Sequence, residues 1–208
     1  MRAGEKNVKT ALFVAMLRPR RVAWIVLGMF LIMNLPEGRA LAAQPDASSL
    51  RPSSLFIQAG VGDNDTRAYV AGATWDLPWS RQLNHMKLSA YFEAGVGRWT
   101  TEDSGVSSWS WVTQVGVTPV LRLQPSGAAN RWFAEVGIGA NYIVPIYQSQ
   151  NKRFSTQFNF GDHVSVGRQF GERRQHEILL RLQHFSNAGI AHPNPGENFI
   201  QLRYALRK

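Results

Sequence analysis

From Leu55 onward, apolar and polar residues alternate with a period of two, and no segment sustains a helical period. Such alternation sends successive side chains to opposite faces of an extended strand. Eight strands are predicted, over residues 55–62, 66–76, 87–99, 107–122, 132–143, 153–169, 175–186 and 198–207. Turn-forming stretches separate several of them, among them Asp63-Asn-Asp65, Leu77-Pro-Trp-Ser80, Gln124-Pro-Ser-Gly127 and Gly171-Glu-Arg-Arg174. Short strands at regular spacing with Gly, Asn and Pro between them predict an all-β sandwich or barrel.

The two faces choose between these. Strand three sets Leu88, Ala90, Phe92, Ala94 and Val96 against Ser89, Tyr91, Glu93, Gly95 and Gly97. Strand five sets Ala134, Val136, Ile138, Ala140 and Tyr142 against Glu135, Gly137, Gly139 and Asn141. Strand six sets Phe154, Phe158, Phe160, Val164 and Val166 against Ser155, Gln157, Asn159, His163 and Ser165. A soluble barrel turns the apolar face inward, whereas a membrane barrel turns it outward. Three features favour the membrane barrel. The strands match the ~9–11 residues that cross a bilayer at a tilt. The polar face is rich in Gly, Ser and Gln, which suits a narrow lumen. Trp75, Trp79, Trp99, Trp109 and Trp132 stand at strand ends, where an interfacial girdle belongs. The expected fold is therefore an eight-stranded antiparallel transmembrane β-barrel of the outer membrane. Glu93, Glu135, Arg181 and Arg203 then share the interior and must be paired there, because a buried lone charge is too costly.

The N-terminus has a different character. Arg18, Arg20 and Arg21 precede the apolar run Val22–Leu35, and Arg39-Ala-Leu-Ala-Ala43 follows it. This is the pattern of a secretory signal peptide over residues 1–43, too short to span as a helix. A start at Met16 would give it a more ordinary basic region. Residues 44–54 then form a periplasmic lead, and 55–208 the barrel. Seven Lys/Arg and two Asp/Glu in residues 1–43 account for +5 of the formal +9, leaving +4. With no polybasic tract, nucleic acid is not an expected partner. The absence of cysteine excludes disulfides and thiolate chemistry. An even strand number places both termini in the periplasm, so strand seven runs outward.

Strand seven carries the chemistry. Ile178, Leu180, Leu182, His184 and Ser186 share the lipid-facing parity, while Glu177, Arg181 and Gln183 share the other. His184 and Ser186 are two residues apart on one face, which is a base beside a nucleophile. A polar pair facing lipid is unfavourable for a merely structural strand. At that depth it meets the ester-bearing part of an outer-leaflet lipid.

The run His184-Phe-Ser-Asn-Ala-Gly189, followed by Pro193-Asn-Pro-Gly196 and a final strand, resembles the signature of the lipid A 3-O-deacylases (PagL). The resemblance is specific at 184–198 and extends diffusely over the mature chain. It implies an outer-membrane serine esterase that hydrolyses the 3-O-linked hydroxyacyl chain of lipid A in lipopolysaccharide, without metal or cofactor. It also implies Ser186 as nucleophile, His184 as general base, and Asn194 in the oxyanion hole with a backbone N–H near Ala188 and Gly189. The third member is expected to be Glu197. Chemistry favours that carboxylate, whereas strict alternation favours Asn198, which lies on the lipid face with Ile200, Leu202 and Tyr204. Gly196 could bend the strand entry enough to bring Glu197 round.

Two other functions compete: an outer-membrane phospholipase-type esterase, whose family also uses His-x-Ser and a later Asn, and a non-catalytic structural barrel. The phospholipase has a larger, calcium-requiring barrel, whereas here Asp63-Asn-Asp65 reads as a hairpin turn. His85, His163, His176 and His192 lack metal-ligand spacing, and His192 is near enough to the motif to meet a lipid phosphate. The chain ends Tyr204-Ala-Leu-Arg-Lys208 instead of on an aromatic residue. Assembly as a homodimer is left open.

Overall fold

The computed structural model describes residues 50–102, 109–127 and 129–208. The expected signal peptide, residues 44–49 of the lead and the first two residues of predicted strand four lie outside the described residues. The strands are β1 (Ser54–Gly62), β2 (Arg67–Leu83), β3 (Met86–Glu102), β4 (Trp109–Pro125), β5 (Trp132–Val144), β6 (Phe158–Phe170), β7 (His176–Ser186) and β8 (Glu197–Arg207). Each pairs antiparallel with its neighbours, and β8 returns to β1 with Leu55 opposite Leu206 and Gly62 opposite Phe199, closing the barrel. Closure leaves no unpaired strand edge. The connection 84–85 and the turns at 126–131 and 171–175 share an end with the C-terminus and the start of β1. The longer connections 145–157 and 187–196 lie at the far rim.

The sidedness is that of a membrane barrel. Ile57, Tyr69, Val96, Val115, Val136, Val164, Leu180 and Leu202, one from each strand, stand exposed on the outer wall. A continuous apolar belt of this kind does not suit water, and lipid is its natural solvent.

The lumen is filled rather than open. Toward the terminal end, Arg122 bridges Glu135 at 2.6 Å and Glu177 at 2.7 Å. In the middle, Glu93 receives Arg181 at 2.9 Å and Arg203 at 2.6 Å. The pairing expected of Glu93, Glu135, Arg181 and Arg203 is met, with Arg122 and Glu177 completing the charge balance. Toward the far rim the filling becomes aromatic. Trp99 lies 4.8 Å from Phe185 and 4.8 Å from Phe199 by ring centroid, and Tyr147 packs 5.5 Å away. Gly161 gives Phe185 its room, since a Cβ there would stand 2.8 Å from that ring and 2.6 Å from Asn141 Nδ2.

The structure departs from the sequence expectations at Trp99, at Phe154 with the start of β6, and at Leu77-Pro-Trp-Ser80. Trp99 is not part of a girdle. It is 1% exposed inside the barrel, where parity with Glu93 and Gly97 sends it, and its Nε1–H donates to Gln114 Oε1 at 2.9 Å. Phe154 does not face lipid. It lies in the connection before β6 and packs 5.0 Å from Tyr147, so β6 begins at Phe158 and not at 153. Leu77-Pro-Trp-Ser80 is not a turn. β2 runs through it with a register shift between Asp76 and Ser80, a bulge that accommodates a proline lacking its N–H. The reversal comes instead at Asn84, whose φ of 52° supplies the left-handed step.

Candidate active site

β7 delivers its last outward residues at the far rim. Ile178 and Leu180 are 45% and 49% exposed on the outer wall. Leu182, His184 and Ser186 continue that row and are half-buried. On the opposite parity, Arg181 and Phe185 point into the filled lumen. The expected outward direction of His184 and Ser186 thus follows from unbroken alternation.

The neighbouring strands bring polar residues to the same row. His184 is paired with Asp162 on β6 and with Asn198 on β8. His184 Nδ1 and Asn198 Oδ1 are 2.7 Å apart. Asn198 leads an otherwise apolar outward row with Ile200 and Leu202.

This arrangement corrects the expectation for Glu197. Its strand partner is Phe185, an inward residue, and it is fully buried on the lumen side. Tyr147 Oη–H donates to its Oε2 at 3.2 Å, and Lys152 Nζ lies 3.2 Å from the same oxygen. Gly196, with φ of +66°, turns the chain into β8 without shifting the alternation. The residue that meets the imidazole is therefore Asn198. Gly196 itself lies against that ring, and a Cβ on it would come within 2.6 Å of His184 Cε1.

The connection 187–196 is organised by Asn187, which is buried. Its Nδ2 donates to Ser155 Oγ at 2.9 Å and to Ala191 O at 2.9 Å, so the loop is tied to the preceding far-rim connection. Its backbone N–H donates to Asn194 Oδ1 at 3.1 Å. With Oδ1 engaged, the donor half of the Asn194 amide is the half directed away from Asn187. The N–H of Gly189 is already taken by Asn187 Oδ1 at 2.9 Å, so it is not a spare donor in this arrangement. Ala188 precedes it with φ of 54° and is exposed, as is His192.

Sequence reasoning passed over Asp162. It is 5% exposed, and its Oδ2 has no hydrogen-bond partner among the described residues. The signal was present: within Phe158, Phe160, Asp162, Val164 and Val166, one carboxylate interrupts an apolar outward row. Asp63 lies in the turn the sequence predicts, the 3-10 turn Asp63–Asp65 that joins β1 to β2. It also reaches the site, because Asn198 Nδ2 donates to Asp63 Oδ2 at 3.2 Å.

An imidazole, a hydroxyl and an amide thus face the lipid side of a barrel wall, with a second amide in the adjoining loop. Such a set is equipped for acyl transfer on an ester at membrane depth.

Comparison with known proteins agrees. The family model described as lipid A 3-O-deacylase (PagL) matches residues 67–207. The lipid A deacylase PagL of Bordetella bronchiseptica RB50 is 32% identical over 170 residues, covering 81% of this chain and 90% of that protein. Its counterpart from Pseudomonas aeruginosa PAO1 is 26% identical over 163 residues, covering 76% of this chain and 88% of that one. The crystal structure of the outer membrane enzyme PagL shares the fold with a TM-score of 0.64 at 23% identity, covering 74% of this chain and 99% of that chain.

Proposed function

This chain belongs to the lipid A 3-O-deacylase (PagL) family, and from that membership we propose that it hydrolyses the 3-O-linked acyl ester of lipid A in the outer membrane, with Ser186 as nucleophile. The observation that carries the proposal is the outward row at the far rim. There His184, Ser186 and Asn198 interrupt a lipid-facing wall, and the imidazole is held by Asn198 at 2.7 Å.

The hydrogen bonding supports the following division of roles. Asn198 Oδ1 can only accept, so His184 Nδ1 keeps its proton and Nε2 carries the lone pair. Nε2 takes the Ser186 hydroxyl proton as Oγ attacks the ester carbonyl, giving a tetrahedral intermediate. The donor half of the Asn194 amide suits the developing oxyanion. Collapse breaks the bond to the sugar 3-oxygen, which leaves with the proton from His184. Water, deprotonated by the same nitrogen, then attacks the acyl-Ser186 ester, releasing the fatty acid and restoring the serine. The third member in this scheme is an amide and not the expected carboxylate Glu197.

Mass spectrometry of lipid A from cells producing the protein tests the reading. Loss of one hydroxyacyl chain is expected, abolished by Ser186→Ala and by His184→Asn. Unchanged lipid A with released phospholipid fatty acids would replace it with a phospholipase. No change in either lipid would leave a structural barrel.

A further inference from the structure

Asn198 is not the last polar group behind His184. Its Nδ2 donates to Asp63 Oδ2 at 3.2 Å, and Lys152 Nζ holds that same oxygen at 2.6 Å. Lys152 in turn lies 3.2 Å from Glu197 Oε2. Asp63 is thus anchored by a cation on one side and aimed at the amide on the other. Three parts of the far rim meet here: the β1–β2 turn, the β5–β6 connection and the start of β8.

An amide behind a catalytic imidazole has an ambiguity that a carboxylate lacks. Its two ends are nearly the same shape, yet one accepts and the other donates. With Oδ1 toward the ring, the proton stays on Nδ1 and Nε2 is free to act as a base. With Nδ2 toward the ring, the proton moves to Nε2, and the ring cannot receive one from Ser186. The wrong tautomer disables this kind of catalysis even when the geometry is intact. A carboxylate at the Nδ2 end resolves the ambiguity, because reversing the amide would bring two acceptor oxygens together.

We propose that Asp63 is a positioning residue of this site: it fixes the orientation of the Asn198 amide and, through it, the base-competent tautomer of His184. The inference rests on the hydrolase reading above and adds a residue to it. Asp63 also supplies negative charge that the amide itself lacks. Asp162 is paired with His184 from the other neighbouring strand, but it is Asp63 that accepts the hydrogen bond donated by the Asn198 amide. Lys152 bridges Asp63 to the buried Glu197.

The test combines Asp63→Ala with Asn198→Asp, using the full chain folded in detergent micelles and checked for its heat-modifiable gel mobility. In the parent background, Asp63→Ala is expected to lower kcat roughly tenfold or more with KM unchanged, the scale of one charge-assisted hydrogen bond. In the Asn198→Asp background the orienting group is itself a carboxylate. Asp63→Ala should then cost nothing there, or raise activity by removing a like charge. Equal losses in both backgrounds would reduce Asp63 to loop packing, and no loss in the parent would remove it from the site; either result overturns the proposal. The tautomer is also read without turnover, from the 15N shifts of histidine-labelled protein, with His184→Asn identifying the resonances. The Nδ1–H form should dominate in the parent, become mixed in Asp63→Ala and return in the double variant; an unchanged spectrum in Asp63→Ala would overturn the proposal. An inactive parent showing the expected tautomers would tell against the deacylase reading alone.

Discussion

Gly196 lies so close to the His184 imidazole that a Cβ at position 196 would stand 2.6 Å from Cε1 and 3.2 Å from Nε2. The same glycine has φ of +66°, a conformation that disfavours any side chain. Gly196→Ala is therefore expected to displace the ring and to strain the entry to β8. Backbone strain alone should cost about 1–2 kcal/mol. The larger effect should be on kcat, with lipid A deacylation falling at least about tenfold, since small misplacements of a base are expensive. Turnover of purified lipid A by Gly196→Ala, with thermal unfolding measured beside it, checks this.

The orienting role should follow the hydrogen bond and not the charge nearest in sequence. Asn198→Ala removes the partner at 2.7 Å from Nδ1. Glu197→Gln keeps a buried polar side chain that faces away from the imidazole. Asn198→Ala is expected to lower kcat by at least about tenfold more than Glu197→Gln, the scale of a hydrogen bond to a charged group. The reverse order in a side-by-side assay would return Glu197 to the role of third member.

Asn194 should act in the transition state. Asn194→Ala removes the proposed oxyanion donor and is expected to cost ~2.7–4 kcal/mol, or about 10²–10³ in kcat. It also frees the Asn187 N–H, now bound to Asn194 Oδ1 at 3.1 Å. Asn194→Asp separates these effects, because it keeps the acceptor and lacks the donor. Both variants should lose kcat, and only Asn194→Ala should loosen the loop, as read by limited proteolysis at residues 187–196.

Glu93 carries the middle of the lumen, with Arg181 at 2.9 Å and Arg203 at 2.6 Å. Glu93→Gln would leave two buried guanidinium groups without their counter-ion. The expected loss is about 3–5 kcal/mol, seen as a lowered urea midpoint for the detergent-folded barrel. Replacing an outer-wall residue such as Val115 by Leu should leave that midpoint nearly unchanged, because lipid accepts either side chain.

Much of this molecule was legible because a strand declares its faces. Parity separates the two faces, strand length and the small polar residues of one face turn the apolar face outward, and from that follow the ion-paired lumen and the outward direction of His184 and Ser186. The failures came where a positional habit was allowed to outrank parity. Trp99 closes a predicted strand, which suggests a girdle, yet alternation from Glu93 sends it inward. A carboxylate such as Glu197 is the commoner partner of an imidazole, yet alternation turns Glu197 inward and sets the Asn198 amide beside His184. Other features were beyond local reading. Asp63 and Asn198 are 135 positions apart and meet only because β8 closes on β1, and no local pattern encodes that contact. The bulge that carries Pro78 through β2 is likewise visible only once β3 is in register beside it.

Among the described residues, ion pairs and the Trp99 cluster fill the cylinder, and Ser186 stands on its outer wall. The reacting ester must drift in sideways, along the plane of the leaflet. Turnover should therefore follow the mole fraction of substrate among its neighbours in that layer, and diluting the whole suspension with buffer should leave the rate per particle untouched.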